Sequence, residues 1–369
     1  MNRPPLQRLV SRARALDKRG TRSPAHPLTF LPVNSWSGRA TLLLACSLLF
    51  TATGMAAAKV ASENLVWPPP PNPARLRYVQ SITGPADLGI RRSFWGRAYG
   101  ALTGQSQRFV LGRPLGLAVD DDGNLLLTDA VSKTVIWLDR TRNTVRQWNK
   151  LGSFRLASPV AVARSQSNFF VADSELPAVL CFTAKGELRF ALTNDLQRPT
   201  GLAVTGNKLV IADAAAHCIS VYDLNRRRLE RIGQRGNGPG EFNFPTHIAV
   251  GPEGQLLVTD SMNSRVQVLD ASGKFIAALG GAGTGPGYFS RPKGVAADGF
   301  GHVYVADAMS DNVQVYDLEG GLLMCFGQAG QQPGEFWMPG GIAISRDNRV
   351  YVADTYNQRI QVFQYLAPP

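Results

Sequence analysis

The stretch VYVADTYNQRIQVF, residues 350–363, alternates apolar and polar residues, breaks at Asp354, and alternates again. It reads as two short strands joined by a polar turn. Similar phrases stand at five earlier places. Strand-like runs end on Asp129 (LLLTDA), Asp173 (FFVADS), Asp213 (LVIADA), Asp260 (LLVTDS), Asp307 (VYVADA) and Asp354 (VYVADT), spaced by 44, 40, 47, 47 and 47 residues. The prolines ahead of these runs, Pro114, Pro159, Pro199, Pro245, Pro292 and Pro339, step by 45, 40, 46, 47 and 47. Two independent markers that keep one rhythm over six copies define a repeat protein.

Each unit reads as four strands. The first follows the proline (GLAV, VAVA, GLAV, HIAV, GVAA, GIAI), the second ends on the aspartate, the third resembles VQVYD, and the fourth resembles KFIAAL at 274–279. Four short strands on a period of this size mark the blades of a propeller. The expectation is an all-β, six-bladed β-propeller of four-stranded blades over residues 75–369. The last unit stops after its third strand, because only QYLAPP follows IQVF. RLRYVQSI, Arg75 to Ile82, has strand alternation, and it is expected to pair with the last blade and close the ring. Closure removes the free sheet edges that invite aggregation. The segment 87–112 matches no blade position and is expected to be a short helix or loop over one face.

The protein has 369 residues and a net charge of +12. Residues 1–39 hold eight Lys/Arg against Asp17 alone, which leaves +5 for the rest and no dense basic tract there. Residues 40–58, ATLLLACSLLFTATGMAAA, are uncharged and apolar and end at an Ala-x-Ala site, the layout of an export signal. They are also long enough to serve as a membrane anchor, and Leu43-Leu44-Ala45-Cys46 resembles a lipid-attachment box; a buried core helix is the bland alternative. Export places the basic head in the cytoplasm and the bulk of the protein in the bacterial cell envelope, either free in the periplasm or anchored in the inner membrane. Residues 59–74 contain Trp67–Pro73 and read as a stiff Pro-rich spacer. Cys181, Cys218 and Cys325 lie in apolar runs without zinc or redox spacing and read as buried thiols.

The pattern Pro-x-Gly-[IVL]-Ala-[VI], the endings Val-Ala-Asp and Val-Thr-Asp, and Asn-x-Arg-[IV]-Gln-Val resemble the NHL-repeat propellers. So do the connectors GQRGNGPGEFNFP, GGAGTGPGYFSRP and GQAGQQPGEFWMP. The resemblance covers about residues 75–369 and is best in units four to six. Unit two departs, with Ala161 in place of glycine and SELPAVLCF lacking Asn and Arg. The resemblance implies a six-bladed fold used for protein binding, RNA binding or sensing and, in relatives, for lyase or lactonase chemistry. It does not choose among these.

The six aspartates are expected to accept backbone N–H bonds and shape turns. Asp260/Asn263/Arg265 and Asp354/Asn357/Arg359 read as turn-and-ion-pair locks repeated per blade. DDDGN, 120–124, lacks calcium-loop spacing and reads as a hairpin turn. The lyase relatives hold a metal on several channel histidines; here His217, His247 and His302 fall at three different places in their blades, so no converging metal site and no cofactor are expected. Only His247 occupies the inner-strand position held by Gly116, Gly201, Gly294 and Gly341. Thr200, Thr246 and Lys293, each just after its proline, are expected to join His247 in a polar patch at the channel mouth. Trp337, Tyr356, Met262 and Met309 fall in loops on the same face and are interface material. The expected function is an exported binding or scaffold propeller without chemistry of its own, recognising an envelope protein or a glycan or small ligand, and no nucleic acid. The alternatives are a metal-dependent lyase or lactonase and an RNA-binding propeller.

Overall fold

The computed structural model describes residues 65–91, 109–165 and 167–367. The basic head (1–39) and the export segment (40–58) lie outside them, as do residues 92–108. Among the described residues, no helix is long and apolar enough to cross a membrane.

Six antiparallel sheets form six blades. The first runs from the inner strand Pro114–Val119 through Leu125–Asp129 and Thr134–Asp139 to the outer strand Thr144–Trp148. Blades two to five repeat this order from Pro159–Arg164, Pro199–Thr205, Pro245–Val250 and Pro292–Ala297. Blade six takes Pro339–Ile344, Arg349–Asp354 and Arg359–Tyr365 from the C-terminus. Its next strand is Leu76–Ile82, which pairs Leu76 with Tyr365 and Ile82 with Ile360. The ring is therefore closed by the N-terminal strand. The sheet continues outward to Val66–Trp67, inside the stretch read as a spacer. Trp67 packs its ring 5.6 Å from Phe363 and 5.9 Å from Phe326, so part of the proline-flanked segment belongs to the blade. Ahead of blade one, Pro85–Leu88 form a single 3-10 turn; Leu88, Ile90 and Leu111 are buried against blades six and one.

The core is divided among the seams. Six buried apolar clusters occur, one between each pair of neighbouring blades. Second and third strands face a neighbour on both sides, so runs such as LLLTD and FFVAD are buried throughout instead of alternating. Outer strands such as Arg228–Ile232 keep an exposed face. The thiols follow this division: Cys181 and Cys218 on third strands are buried, whereas Cys325, expected to be buried as well, sits on an outer strand and is only half-buried.

The aspartates stitch each blade together. All six are buried. Asp307 accepts the backbone N–H groups of Ser290 and Arg291 from the incoming connector (2.7 and 2.8 Å) and of Met309 from the following turn (3.2 Å). Asp173 does the same for Ala157, Ser158, Glu175 and Leu176. The ion-pair lock is restricted to blades four and six: Arg265 lies 2.9 Å from Asp260 and Arg359 2.7 Å from Asp354, with Asn263 and Asn357 donating to the same carboxylates. It is not a device of every blade, because the third strands of the other four blades open on Thr134, Ala178, Cys218 and Asn312 instead of Arg. Asp120 closes the hairpin turn read from DDDGN by accepting the N–H groups of Asp122 and Asn124, and it pairs with Arg164 of blade two at 2.8 Å.

Candidate functional site

Every inner strand carries a bulge next to its proline or opposite the aspartate. The bulges turn the residue two places after the proline toward the neighbouring inner strand. A Cβ on Gly116 would lie 2.7 Å from the backbone of Ala161, and one on Gly201 2.9 Å from that of His247. Glycine or alanine fills this ring because adjacent strands converge on the axis, and His247 is the exception. The axial cavity is only about 40 Å³, lined among others by Gly116, Ala161, Gly201, His247 and Gly341. The axis beside His247, where a polar patch at the channel mouth is expected, is therefore nearly closed.

His247 keeps some surface toward that cavity, yet its Nδ1 is cut off from solvent and has no hydrogen-bond partner. Burial pushes its imidazole down to about 3, and the nearby Lys293 charge adds to the effect. Lys293 is itself half-buried and held below the usual lysine range, first by burial and then by Arg291. Thr200 donates to the Pro245 carbonyl of the next blade at 3.1 Å. In blade four the equivalent acceptor, Pro292, is taken by Ser261 (3.1 Å), and the buried Thr246 hydroxyl has no partner. Blade three has Ala214 where blade four has Ser261, which is why the two threonines differ.

The outer part of the same face is formed by the connectors ahead of the prolines and the turns after the aspartates. Hydrogen bonds from Met262 N–H to the Asn243 carbonyl and from Tyr356 N–H to the Trp337 carbonyl, both 3.1 Å, fasten turn to connector. Trp337 and Tyr356 place their rings 5.4 Å apart, and the Arg113 guanidinium lies over Tyr356 at 4.7 Å. Trp337 is 46% exposed, Met309 59% and Met262 66%. With Val131, these residues occupy an arc over blades four, five, six and one. Arginine recurs immediately before the proline in blades one, three and five, at Arg113, Arg198 and Arg291, all exposed. The sequence reading missed this basic set, although Arg-Pro at a fixed place in alternate repeats signalled it.

Among the described residues, the other two histidines, His217 and His302, serve turns. His217 Nδ1 accepts the Phe244 N–H at 3.3 Å, and two blades further on Asp311 accepts the Met338 N–H at 2.6 Å from the equivalent place. His302 lies 2.8 Å from Asp298, which also accepts its backbone N–H and the Tyr304 hydroxyl. Among the described residues, no group of three His, Cys, Asp or Glu side chains is gathered as a metal site requires.

Comparison with known proteins agrees with the architecture. The NHL repeat family matches residues 196–222 and 336–363, and a 6-bladed beta-propeller family matches 252–325. No curated protein matches. Among solved structures, a protein of unknown function from Bacteroides thetaiotaomicron is 16% identical, with a TM-score of 0.55 over 69% of this chain and 70% of that one. Virginiamycin B lyase from Staphylococcus aureus is 13% identical, with a TM-score of 0.51 over 69% of this chain and 96% of that one. Kuenenia stuttgartiensis hydrazine synthase is 14% identical, with a TM-score of 0.51 over 71% of this chain and 98% of that one. At these identities the likeness is one of fold.

Proposed function

We propose that this six-bladed β-propeller with NHL repeats is an exported binding module of the bacterial cell envelope, docking an acidic protein partner on the connector-and-turn face. The observation that carries the reading is the Trp337–Tyr356–Arg113 cluster beside exposed Met262 and Met309. Trp, Tyr and Arg dominate binding hot spots, and Met adapts to a partner's shape. Arg113 and Arg291 lie within the apolar arc and Arg198 on the adjoining blade three, and their charge favours a negatively charged partner. The turns that present these side chains are fixed by buried aspartates, so little ordering is lost on binding. Export rests on the basic head and the 40–58 segment, which also sets the compartment of the partner. A metal-dependent lyase or lactonase would require several ligands to converge on the axis, whereas His217 and His302 are committed to turns away from it.

The test is photo-crosslinking in intact cells. A crosslinkable residue replaces Met262 or Met309 on the proposed face, or Phe300 or Leu323 elsewhere; all four native side chains are exposed. The expected result is one protein adduct in near-equal amount from the first pair and none from the second. Adducts of equal strength from both pairs, or none from Met262 and Met309, overturn the reading.

A further inference from the structure

We infer that the corner of blade four formed by Arg235, Asn237, Asn243 and Asn263 is a binding site for one neutral sugar unit of a glycan. The four residues line a single recess of about 250 Å³ between connector and turn. Backbone contacts bring them together. Arg235 and Phe242 form a parallel bridge, and the Gly236 N–H donates to the Phe242 carbonyl at 3.1 Å, which sets Arg235 beside Asn243. The Asn243 N–H donates to Asp260 at 2.6 Å, and its carbonyl accepts the Met262 N–H at 3.1 Å. Asn263 donates to the Gly236 carbonyl at 2.9 Å and ties the turn to the connector. Among the described residues, none is hydrogen-bonded to the side chain of Arg235, Asn237 or Asn243. The two other long connectors treat this corner differently. In blade five Ser290 donates to the Gly283 carbonyl (3.1 Å) and Ser310 to Ser290 (3.0 Å), so the corner is closed on itself. In blade six Trp337 takes the place of Asn243 and packs on Tyr356. Of the three, the blade-four corner alone presents an arginine and two asparagine side chains to a ligand.

The side chains select the ligand. Each amide offers a donor and an acceptor side by side, and the guanidinium adds donors in one plane. Neighbouring sugar hydroxyls, which both donate and accept, match that set, and they replace the hydrogen bonds of hydrating water in kind. Charge decides between a neutral and an acidic sugar. The Glu241 carboxylate lies against Gly236. Hydrogen bonds from Gln234 (2.9 Å) and the Gly238 N–H (3.0 Å) hold it there and keep its carboxyl below the usual carboxylate range. It offsets the charge of Arg235, so the corner does not attract an anion as the isolated Arg113, Arg198 and Arg291 do. The volume falls below the ~300–1,000 Å³ of sites that enclose drug-sized ligands and suits one ring, with the rest of the glycan outside. Met262, exposed on the same turn as Asn263, offers apolar surface to the C–H face of the ring. The site stands independently of the protein partner proposed above.

The probes are the methyl glycosides of glucose, galactose, mannose and N-acetylglucosamine. Each is titrated into the full-length protein while the asparagine side-chain amides are followed by NMR. Saturable shifts of the Asn237 and Asn243 signals are expected with at least one of the four. The midpoint is expected to rise about tenfold, the loss of one good hydrogen bond, in Arg235→Ala and in Asn243→Ser. Alanine is the residue of both other long connectors at the first place, and serine that of blade five at the second. The shifts in wild-type protein read the site even should a variant fail to fold. No saturable shift with any of the four, or equal midpoints in wild type and both variants, overturns the site. So does binding of methyl glucuronide without a response to the neutral glycosides, which would make the corner part of the surface for acidic partners. Loss of the sugar response with crosslinking at Met262 and Met309 intact removes this inference alone; loss of the crosslinks with the sugar response intact removes the docking reading alone.

Discussion

Blades one to three and blades four to six seal their seams differently. The position three residues before the inner-strand proline is Leu111, Leu156 and Leu196 in the first half and Phe242, Phe289 and Phe336 in the second. All six are buried. The phenylalanines arrive on long connectors that form isolated parallel bridges, Arg235 with Phe242, Ala282 with Phe289 and Ala329 with Phe336. A glycine in left-handed conformation precedes each: a Cβ on Gly280 (φ 74°) would fall 2.3 Å from the Phe289 ring. An irregular connector also brings backbone groups that need partners. Gln314 meets this need by accepting the Gly287 N–H (2.9 Å) and donating to the Tyr288 carbonyl (2.7 Å), and Gln267 and Gln361 repeat the arrangement. At the same strand position the first half has Ile136, Leu180 and Ser220. The connectors 233–244, 280–291 and 327–338 thus each bring a larger plug and a buried amide together. The connectors ahead of blades two and three, 149–158 and 193–198, are shorter and end in aliphatic packing, and Leu111 of blade one lies at the end of the separate segment 83–113.

The comparison can be broken most severely at the join between the two halves. Deleting Leu76–Ile82 leaves blade six with an open edge, and the expected outcome is loss of soluble monomer, measured by sedimentation. A soluble, equally stable deletion would show that the ring does not depend on its N-terminal strand. Next come the plugs. Phe289→Ala is expected to cost about 3–5 kcal/mol in urea unfolding, more than Leu156→Ala, because the Phe ring also fills the shelf over Gly280. Equal costs would mean that the connector repacks. Exchanging the clamps is milder and works in both directions. Gln314→Leu strands the Gly287 N–H and Tyr288 carbonyl, and Leu180→Gln buries an amide without partners; each is expected to lose about 1–3 kcal/mol.

The smallest expected effect concerns the axis, where five blades carry glycine or alanine and blade four carries His247. Burial holds the folded-state imidazole near 3, below its unfolded value near 6.5. Between these values the unfolded state binds the extra proton, so stability rises with pH through this window and is lost as pH falls from about 6.5 toward 3. Replacing His247 by Gly, the residue of four other blades, should remove that slope. The wild type should lose about 1–3 kcal/mol relative to the variant between pH 7 and pH 4.5, read as the change in urea midpoints. A gap that does not vary with pH would place His247 in contact with solvent.

Much of this was legible in sequence because each blade repeats its own local instructions. The proline and aspartate rhythms mark strand starts and turns that are made within one unit, and the missing fourth strand of the last unit pointed directly to Arg75–Ile82. Contacts between positions far apart in sequence were harder to read. Gln267, Gln314 and Gln361 stand out as polar residues in apolar strands, but their partners lie on the connector of the same unit some distance upstream, and only the folded ring shows them. The narrowness at His247 follows from six inner strands converging, a global property that no single repeat encodes. Leu65 to Trp67 hid behind prolines that suggested a spacer, while the Trp67 side chain fills space between Phe326 and Phe363.

A fixed binding face requires one cooperative ring, in which both halves and the borrowed strand open together. Native-state hydrogen exchange on Leu76–Ile82 and Arg359–Tyr365 tests this most directly. The account predicts that amides of both strands, paired across the junction, exchange at the free energy of global unfolding. Fast exchange in Leu76–Ile82 beside slow exchange in Arg359–Tyr365 would contradict it and reduce the N-terminal strand to a loosely held cover.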